Sequence, residues 1–124
     1  MTQLFAIAIA GAIGALLRFW MSGWVYGLFG RDFPYGTLAV NVAGSLLMGV
    51  SFVLLVERLG SAPEWRALVM IGFLGAFTTF STFSLETVQL LEGGALARAM
   101  MNVLTSVVLC LGAAWLGIVL GRQL

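Results

Sequence analysis

An all-α integral membrane protein with four transmembrane helices is the fold this sequence predicts, and three observations carry the prediction. Of its 124 residues, 61% are hydrophobic and only 9% charged, against roughly 25% charged in ordinary soluble domains. Mean hydropathy is +1.08. Charges and turn formers gather at three places, Gly30-Arg31-Asp32-Phe33-Pro34, Glu57 to Glu64, and Glu92-Gly93-Gly94, and three breaks divide the chain into four apolar runs. Four spans of about 20 residues need roughly 80 positions. Residues 1–124 therefore read as one transmembrane domain, with no space for a soluble catalytic or nucleic-acid-binding module.

Taken in order, the spans are expected at about residues 4–29, 35–56, 65–91 and 96–120. The first opens on an apolar run, Leu4 to Leu17, with the character of a signal-peptide core, but Met1-Thr2-Gln3 lacks the positive charge that precedes one. It reads as a span. Trp20, Trp24 and Tyr26 near its end, with Tyr35 opening the second, fit the aromatic belt of a membrane interface. The second span carries Thr37, Asn41, Ser45 and Ser51, the third a dense run of hydroxyls, and the fourth Asn102, Thr105 and Ser106. All four are helices rather than barrel strands, because hydrocarbon offers the backbone no partner and the apolar runs show no two-residue alternation.

The same composition excludes several chemistries. There is no His, no Lys and one Cys, Cys110, so imidazole-ligated haem, Cys/His zinc sites and an internal disulfide are ruled out. A net charge of +1 gives no strong attraction to polyanions, and nucleic acid is not an expected partner. Arginine normally sets orientation in the membrane, yet here it is balanced. Arg58, Arg66 and Arg122 fall on the side of the N-terminus; Arg31 and Arg98, with Arg18 if it reaches that way, fall on the other. The chain is expected to insert both ways round and pair as an antiparallel homodimer, with chance balance of so few arginines as the alternative. Small residues four apart, Gly23 with Gly27 and Ala113 with Gly117 and Gly121, offer faces for close helix contact, between copies or within one.

Polar groups inside hydrocarbon are costly and mark candidate function. Ser45 and Ser51 can bond back to their own helix and read as structural. Asn41 cannot: its amide needs an interhelical partner or a permeating solute. The third-span segment Gly72 to Ser84 is the most informative, because Thr-Phe-Ser occurs twice in succession, at 79–81 and 82–84, and a three-residue repeat matches neither helix nor strand periodicity. Hydroxyls crowded beside glycines in mid-membrane predict a broken third helix, whose freed carbonyls favour a cation and freed N–H groups an anion. A continuous helix with back-bonded hydroxyls is the alternative. Phe80 and Phe83, three apart, share a side. In most proteins that means core, yet the positive edges of their rings, with hydroxyls and an amide, suit a small anion that must bind and also leave.

Three stretches, Gly11-Ala12-Ile13-Gly14-Ala15-Leu16-Leu17-Arg18-Phe19, Gly36-Thr37-Leu38-Ala39-Val40-Asn41-Val42-Ala43-Gly44-Ser45 and Gly72 to Glu86, resemble the first-, second- and third-span motifs of the small bacterial fluoride channels, the Fluc or CrcB type. The resemblance covers nearly the whole chain. It implies a multi-pass protein of the bacterial cytoplasmic membrane, an antiparallel dual-topology homodimer in the lipid bilayer. It also implies passive export of fluoride through two pores, with a structural sodium ion at the centre. By that resemblance Asn41 is the pore-facing amide, Phe80 and Phe83 present ring edges to fluoride, and Ser81 and Thr82 add hydroxyls. The main-chain carbonyls of Gly75 and Thr78, from both subunits, would hold sodium. Ser106 would belong to the family's hydroxyl track on the fourth span, although Cys110 and Ala114, one and two turns on, carry no hydroxyl. Arg18, Thr37 and Glu86 are vestibule or structural polar residues, Arg18 drawing anions inward and Glu86 bonding a neighbouring helix.

Two other classes share the hydropathy. A small multidrug-resistance-type exporter would resemble this chain in length and topology but needs an acidic residue deep in its first span, where Arg18 stands instead. A non-transporting membrane anchor explains the glycines but not the hydroxyl-rich segment. Under the dual-insertion reading, tags on either terminus should be found on both sides of the membrane, and crosslinking should recover antiparallel pairs. Extra Lys in one loop should lock orientation and lower activity. A C-terminus reachable from one side only, with parallel pairs alone, contradicts it.

Overall fold

Each long apolar run is helical. The computed structural model describes residues 1–60 and 62–124. Helix α1 spans Thr2–Phe29, and α2 spans Tyr35–Ser51 with π-helical turns continuing it over Phe52–Arg58. The third run begins with α3, Pro63–Arg66, passes through π-helical turns Ala67–Leu74 into the short α4, Gly75–Phe77, and after two residues resumes as α5, Phe80–Glu92. Helix α6 covers Leu96–Gln123. Four stretches, Thr2–Phe29, Tyr35–Arg58, Pro63–Glu92 and Leu96–Gln123, are long and apolar enough to cross a membrane, and no strand occurs among the described residues.

Local chemistry accounts for the ends. Each interhelical loop contains a glycine at positive φ, Gly30 at 83°, Gly60 at 51° and Gly94 at 81°, where a Cβ would be strained. Pro63 takes the first helical position of α3, where its missing N–H costs nothing. At one end of the bundle Arg122 grips Glu57 with two hydrogen bonds, Nε to Oε2 at 3.3 Å and a terminal nitrogen to Oε1 at 2.9 Å. At the other, Arg98 donates to the Asp32 carbonyl at 3.5 Å. These contacts place Arg122 at one end and Arg98 at the other, and exposed pairs of this kind add little stability.

Packing is carried by small residues, while large apolar side chains such as Phe5, Ile9, Phe19, Trp20, Trp115 and Leu111 face outward. That arrangement suits a helix bundle in lipid, where close backbone contact replaces the hydrophobic drive. The most extensive contact is between α2 and α6. A Cβ on Gly49 would run into the Ala114 carbonyl and come within 2.9 Å of the Ile118 nitrogen; one on Gly117 would meet the Leu46 carbonyl and lie 3.0 Å from the Val50 nitrogen. Helix α1 packs against Ala67–Leu74 in the same way, a Cβ on Gly72 meeting Ala10 at 2.9 Å. Gly117 and Gly121 thus serve contacts within one chain, whereas Gly23 and Gly27 have nothing within 4 Å.

Overpacking of these crossings gives a direct test. Gly49→Ala and Gly117→Ala should each destabilise the purified protein by about 1–3 kcal/mol, while Gly112→Ala, in a helix interior where a Cβ meets open space, should leave stability unchanged or raise it by up to about 1 kcal/mol. Equal stability of all three variants would refute the packing account.

Candidate functional site

Between α4 and α5 the backbone leaves the helical region for two residues, with φ −92° and ψ 162° at Thr78 and φ −155° and ψ 115° at Thr79. Extended backbone in a hydrophobic span needs new partners for its polar groups. Asn41 on α2 supplies them: its Oδ1 accepts the Thr79 N–H at 2.7 Å, and its Nδ2 donates to the Thr79 carbonyl at 3.0 Å. A side-chain amide carries one acceptor and two donors, so it pairs with Thr79 as a neighbouring strand would. The interhelical partner expected as one alternative for Asn41 is therefore main chain. Close approach makes this possible, because Gly44 lies against Thr78 and the Phe77 ring, which a Cβ would contact at 3.3 Å.

Thr79 also starts the next helix. Its Oγ1 accepts the Thr82 N–H at 3.2 Å, an N-cap bond. The same oxygen donates to Thr82 Oγ1 at 3.0 Å and lies 3.4 Å from Ser81 Oγ. Other hydroxyls bond back to their own helices: Thr78 to the Leu74 carbonyl at 3.1 Å, Ser84 to Phe80 at 2.9 Å and Thr105 to Met101 at 2.7 Å.

Beside the extended pair lies a cavity of about 410 Å³ lined by Asn41, Gly44, Ser45, Met48, Thr78, Thr79, Phe80, Phe83, Ser106, Val107, Cys110, Leu111 and Ala114. Phe80 and Phe83 stand with ring centroids 5.2 Å apart and planes tilted by 49°. Their surroundings differ: Phe83 is 8% exposed and Phe80 77%. Of the sequence-predicted residues, the cavity gathers Asn41, Phe80, Phe83, Ser106 and Thr78, and leaves Ser81, Thr82 and Gly75 outside its lining. Ser45 faces it together with Cys110 and Ala114.

A second polar cluster lies near one end of α1. Tyr26 donates to Glu86 Oε2 at 2.8 Å and lies 3.4 Å from Thr37 Oγ1, and the Arg31 guanidinium sits 4.5 Å from the Tyr26 ring centre. These groups border a cavity of about 300 Å³ shared by Tyr26, Arg31, Asp32, Pro34, Glu86, Gln89 and Leu90. Glu86 thus bonds a neighbouring helix, through Tyr26. The Arg18 Nε is buried without a partner, as is Glu86 Oε1. Sequence reasoning placed Tyr26 in the aromatic belt and gave Thr79 and Asn102 no role of their own. The lone carboxylate of the inner third span was the signal that a hydroxyl donor must stand nearby.

Among the described residues no group of three His, Cys, Asp or Glu could hold an ion. Main-chain oxygens near the extended pair have lost their helical donors. In a continuous helix the Thr79 N–H would go to the Gly75 carbonyl and the Thr82 N–H to the Thr78 carbonyl; here they go to Asn41 and to Thr79 Oγ1. Carbonyls released in this way suit a hard monovalent cation.

Fold and site together define a multi-pass helical membrane protein with a mainly apolar cavity, carrying a few polar groups, between its second, third and fourth spans. Residues 5–118 match the profile of the family described as CrcB-like protein, Camphor Resistance (CrcB), and the chain belongs to that family. It is similar to proteins named Fluoride-specific ion channel FluC. One from Methylococcus capsulatus is 61% identical over 122 residues, 98% of this chain and 54% of that protein. Another, from Citrifermentans bemidjiense, is 52% identical over 124 residues and the full length of both. A third, from Coxiella burnetii, is 53% identical over 112 residues, 90% of each. The chain thus spans about half the length of the Methylococcus relative. It is a multi-pass bacterial membrane protein.

The amide clamp can be tested by substitution. Asn41→Leu keeps the bulk but leaves the Thr79 N–H and carbonyl unpaired, so unfolding stability should fall by on the order of 2–4 kcal/mol. Asn41→Asp should be worse, setting an anionic oxygen against the Thr79 carbonyl. Parental stability in Asn41→Leu would show that the clamp holds nothing.

Proposed function

We propose that this chain is a fluoride-selective channel through which fluoride leaves the cell passively, working as an antiparallel homodimer with two pores and a structural sodium ion. One observation carries the reading. The Asn41 amide, the Ser106 hydroxyl and the Phe80 and Phe83 rings meet in one cavity beside the extended Thr78–Thr79 pair, in a chain whose relatives are named fluoride-specific ion channels. Such channels are not enzymes.

Fluoride is small and strongly hydrated, so its path must replace water with donors yet release it again. Asn41 Nδ2 carries two hydrogens and gives one to Thr79, leaving the other for the anion. The Phe80 and Phe83 ring edges add positive partial charge without a trapping cation, and no residue lining the cavity is ionisable except Cys110. Ser81 and Thr82, grouped around Thr79, add hydroxyls on the approach, while Arg18 draws anions toward a vestibule and Thr37 and Glu86 are structural polar groups around Tyr26. The two extended residues serve as the functional break of the third span. Main-chain oxygens of Gly75 and Thr78 would hold sodium there, their helical donors being engaged elsewhere, each subunit giving two. The exposure of Phe80 and the open faces at Gly23 and Gly27 leave surface for the second copy, and the balanced arginines let it insert inverted.

Reconstituted fluoride flux tests the pore. Phe80→Ile and Phe83→Ile keep apolar bulk but lose the ring edge, and each should cut flux by roughly tenfold or more with the protein still folded. Met at either position should be milder, since the polarisable thioether can rearrange. In the same vesicles, exchange of sodium for a large organic cation should lower both flux and thermal stability. Parental flux in both Ile variants sinks the pore assignment; parental flux and stability without sodium sink the cation site.

A further inference from the structure

Asn102 is the least accessible polar side chain among the described residues, at 1% exposure, and the fluoride path as drawn does not use it. Its amide stands in the middle of a chain of hydrogen bonds. Ser106 Oγ donates to Asn102 Oδ1 at 3.4 Å, Asn102 Nδ2 donates to Thr87 Oγ1 at 2.9 Å, and Thr87 Oγ1 donates to the Phe83 carbonyl at 2.8 Å. All three protons point the same way, from a cavity-lining hydroxyl on α6 to the backbone of a cavity-lining ring on α5.

The links differ in strength. The bonds through Thr87 have ordinary lengths, whereas 3.4 Å lies beyond the usual range for a hydroxyl donor. Helix α5 touches α6 far less than α2 does, so this amide is the polar tie that sets α5 along α6. We propose that Asn102 is a positioning residue of the fluoride path, fixing the height of Phe83 through Thr87 and holding the Ser106 hydroxyl in a loose bond from which it can turn to a passing anion. When Ser106 turns, Asn102 keeps its bond to Thr87, so recruiting the hydroxyl costs one weak bond and leaves the helices in register. The proposal rests on the reading that Phe83 and Ser106 lie on that path.

The test uses Asn102→Leu and Thr87→Val, which remove the tie at nearly constant volume, and Thr87→Ser, which keeps the hydroxyl. Each full-length protein is checked for helicity and thermal unfolding, then reconstituted for single-channel fluoride currents. Asn102→Leu and Thr87→Val should each lower the current of a single channel by roughly three- to tenfold, the size of one lost hydrogen bond. The double variant should be no worse than either alone, because both act through one chain. Thr87→Ser should stay near the parent. A purely structural role would reduce the number of active channels and the unfolding temperature while each open channel passed the parental current; that result, or full additivity, overturns the proposal. If Asn102→Leu does not fold, the contrast between Thr87→Val and Thr87→Ser decides. Phe83→Ile separates the two readings: if it conducts as the parent does, Phe83 is off the fluoride path and this proposal falls with that part of the reading. If it is impaired while Thr87→Val channels carry parental current, only the role of Asn102 falls.

Discussion

A chain cannot leave the helix inside hydrocarbon unless something takes over the hydrogen bonds it gives up. Here that something is one side chain. Asn41 pairs with both polar groups of Thr79, and the rest of the site follows from that pairing. Because the Thr79 N–H is held by Asn41, the Gly75 carbonyl loses its helical donor. Because Thr79 is extended, its hydroxyl is free to cap α5, and the first turn of α5 carries Phe80 and Phe83 to the cavity. Gly44 lets α2 come near enough for the amide to reach. Two glycine crossings between α2 and α6 then bring Ser106 and Cys110 to the opposite wall.

The polar side chains of this bundle divide by what they bond. Ser84 and Thr105 return to their own helices and leave no trace outside them. Asn41, Tyr26 and Asn102 reach across to other elements. Interhelical hydrogen bonds in lipid are individually modest, so these three specify which segments lie together more than they raise overall stability. The outer surface is nearly all large apolar side chains, which face lipid or a second copy without penalty.

Much of the architecture was legible in the sequence because it depends on local composition. The four spans follow from apolar runs, and the loops from Gly30, Gly60 and Gly94, which adopt backbone angles that glycine tolerates. Arg58 and Arg122 meet at one end and Arg98 reaches Asp32 at the other, whereas Arg18 lies in mid-helix in α1. Pairings between distant residues left no such mark. Tyr26 and Glu86 are 60 residues apart and Asn41 and Thr79 are 38 apart, and no periodicity records such a contact. The small-residue faces show the same limit: Gly117 and Gly23 have similar neighbours in sequence, yet one is locked against α2 and the other faces open space. Phe80 and Phe83 share a side as their spacing requires, but how differently they are covered depends on tertiary packing, which the spacing does not contain. The resemblance to fluoride channels supplied the ions, which composition did not.

The account stands most directly on ion selectivity in the unmodified protein. Purified chain is reconstituted into liposomes loaded with fluoride and chloride together, and the efflux of each is followed with ion-selective electrodes after the membrane potential is released. The account predicts rapid loss of fluoride with chloride retained, since the cavity offers donors suited to a small, strongly hydrogen-bonding anion. Release of both ions at equal rates, or of neither from vesicles shown to contain folded protein, would contradict it.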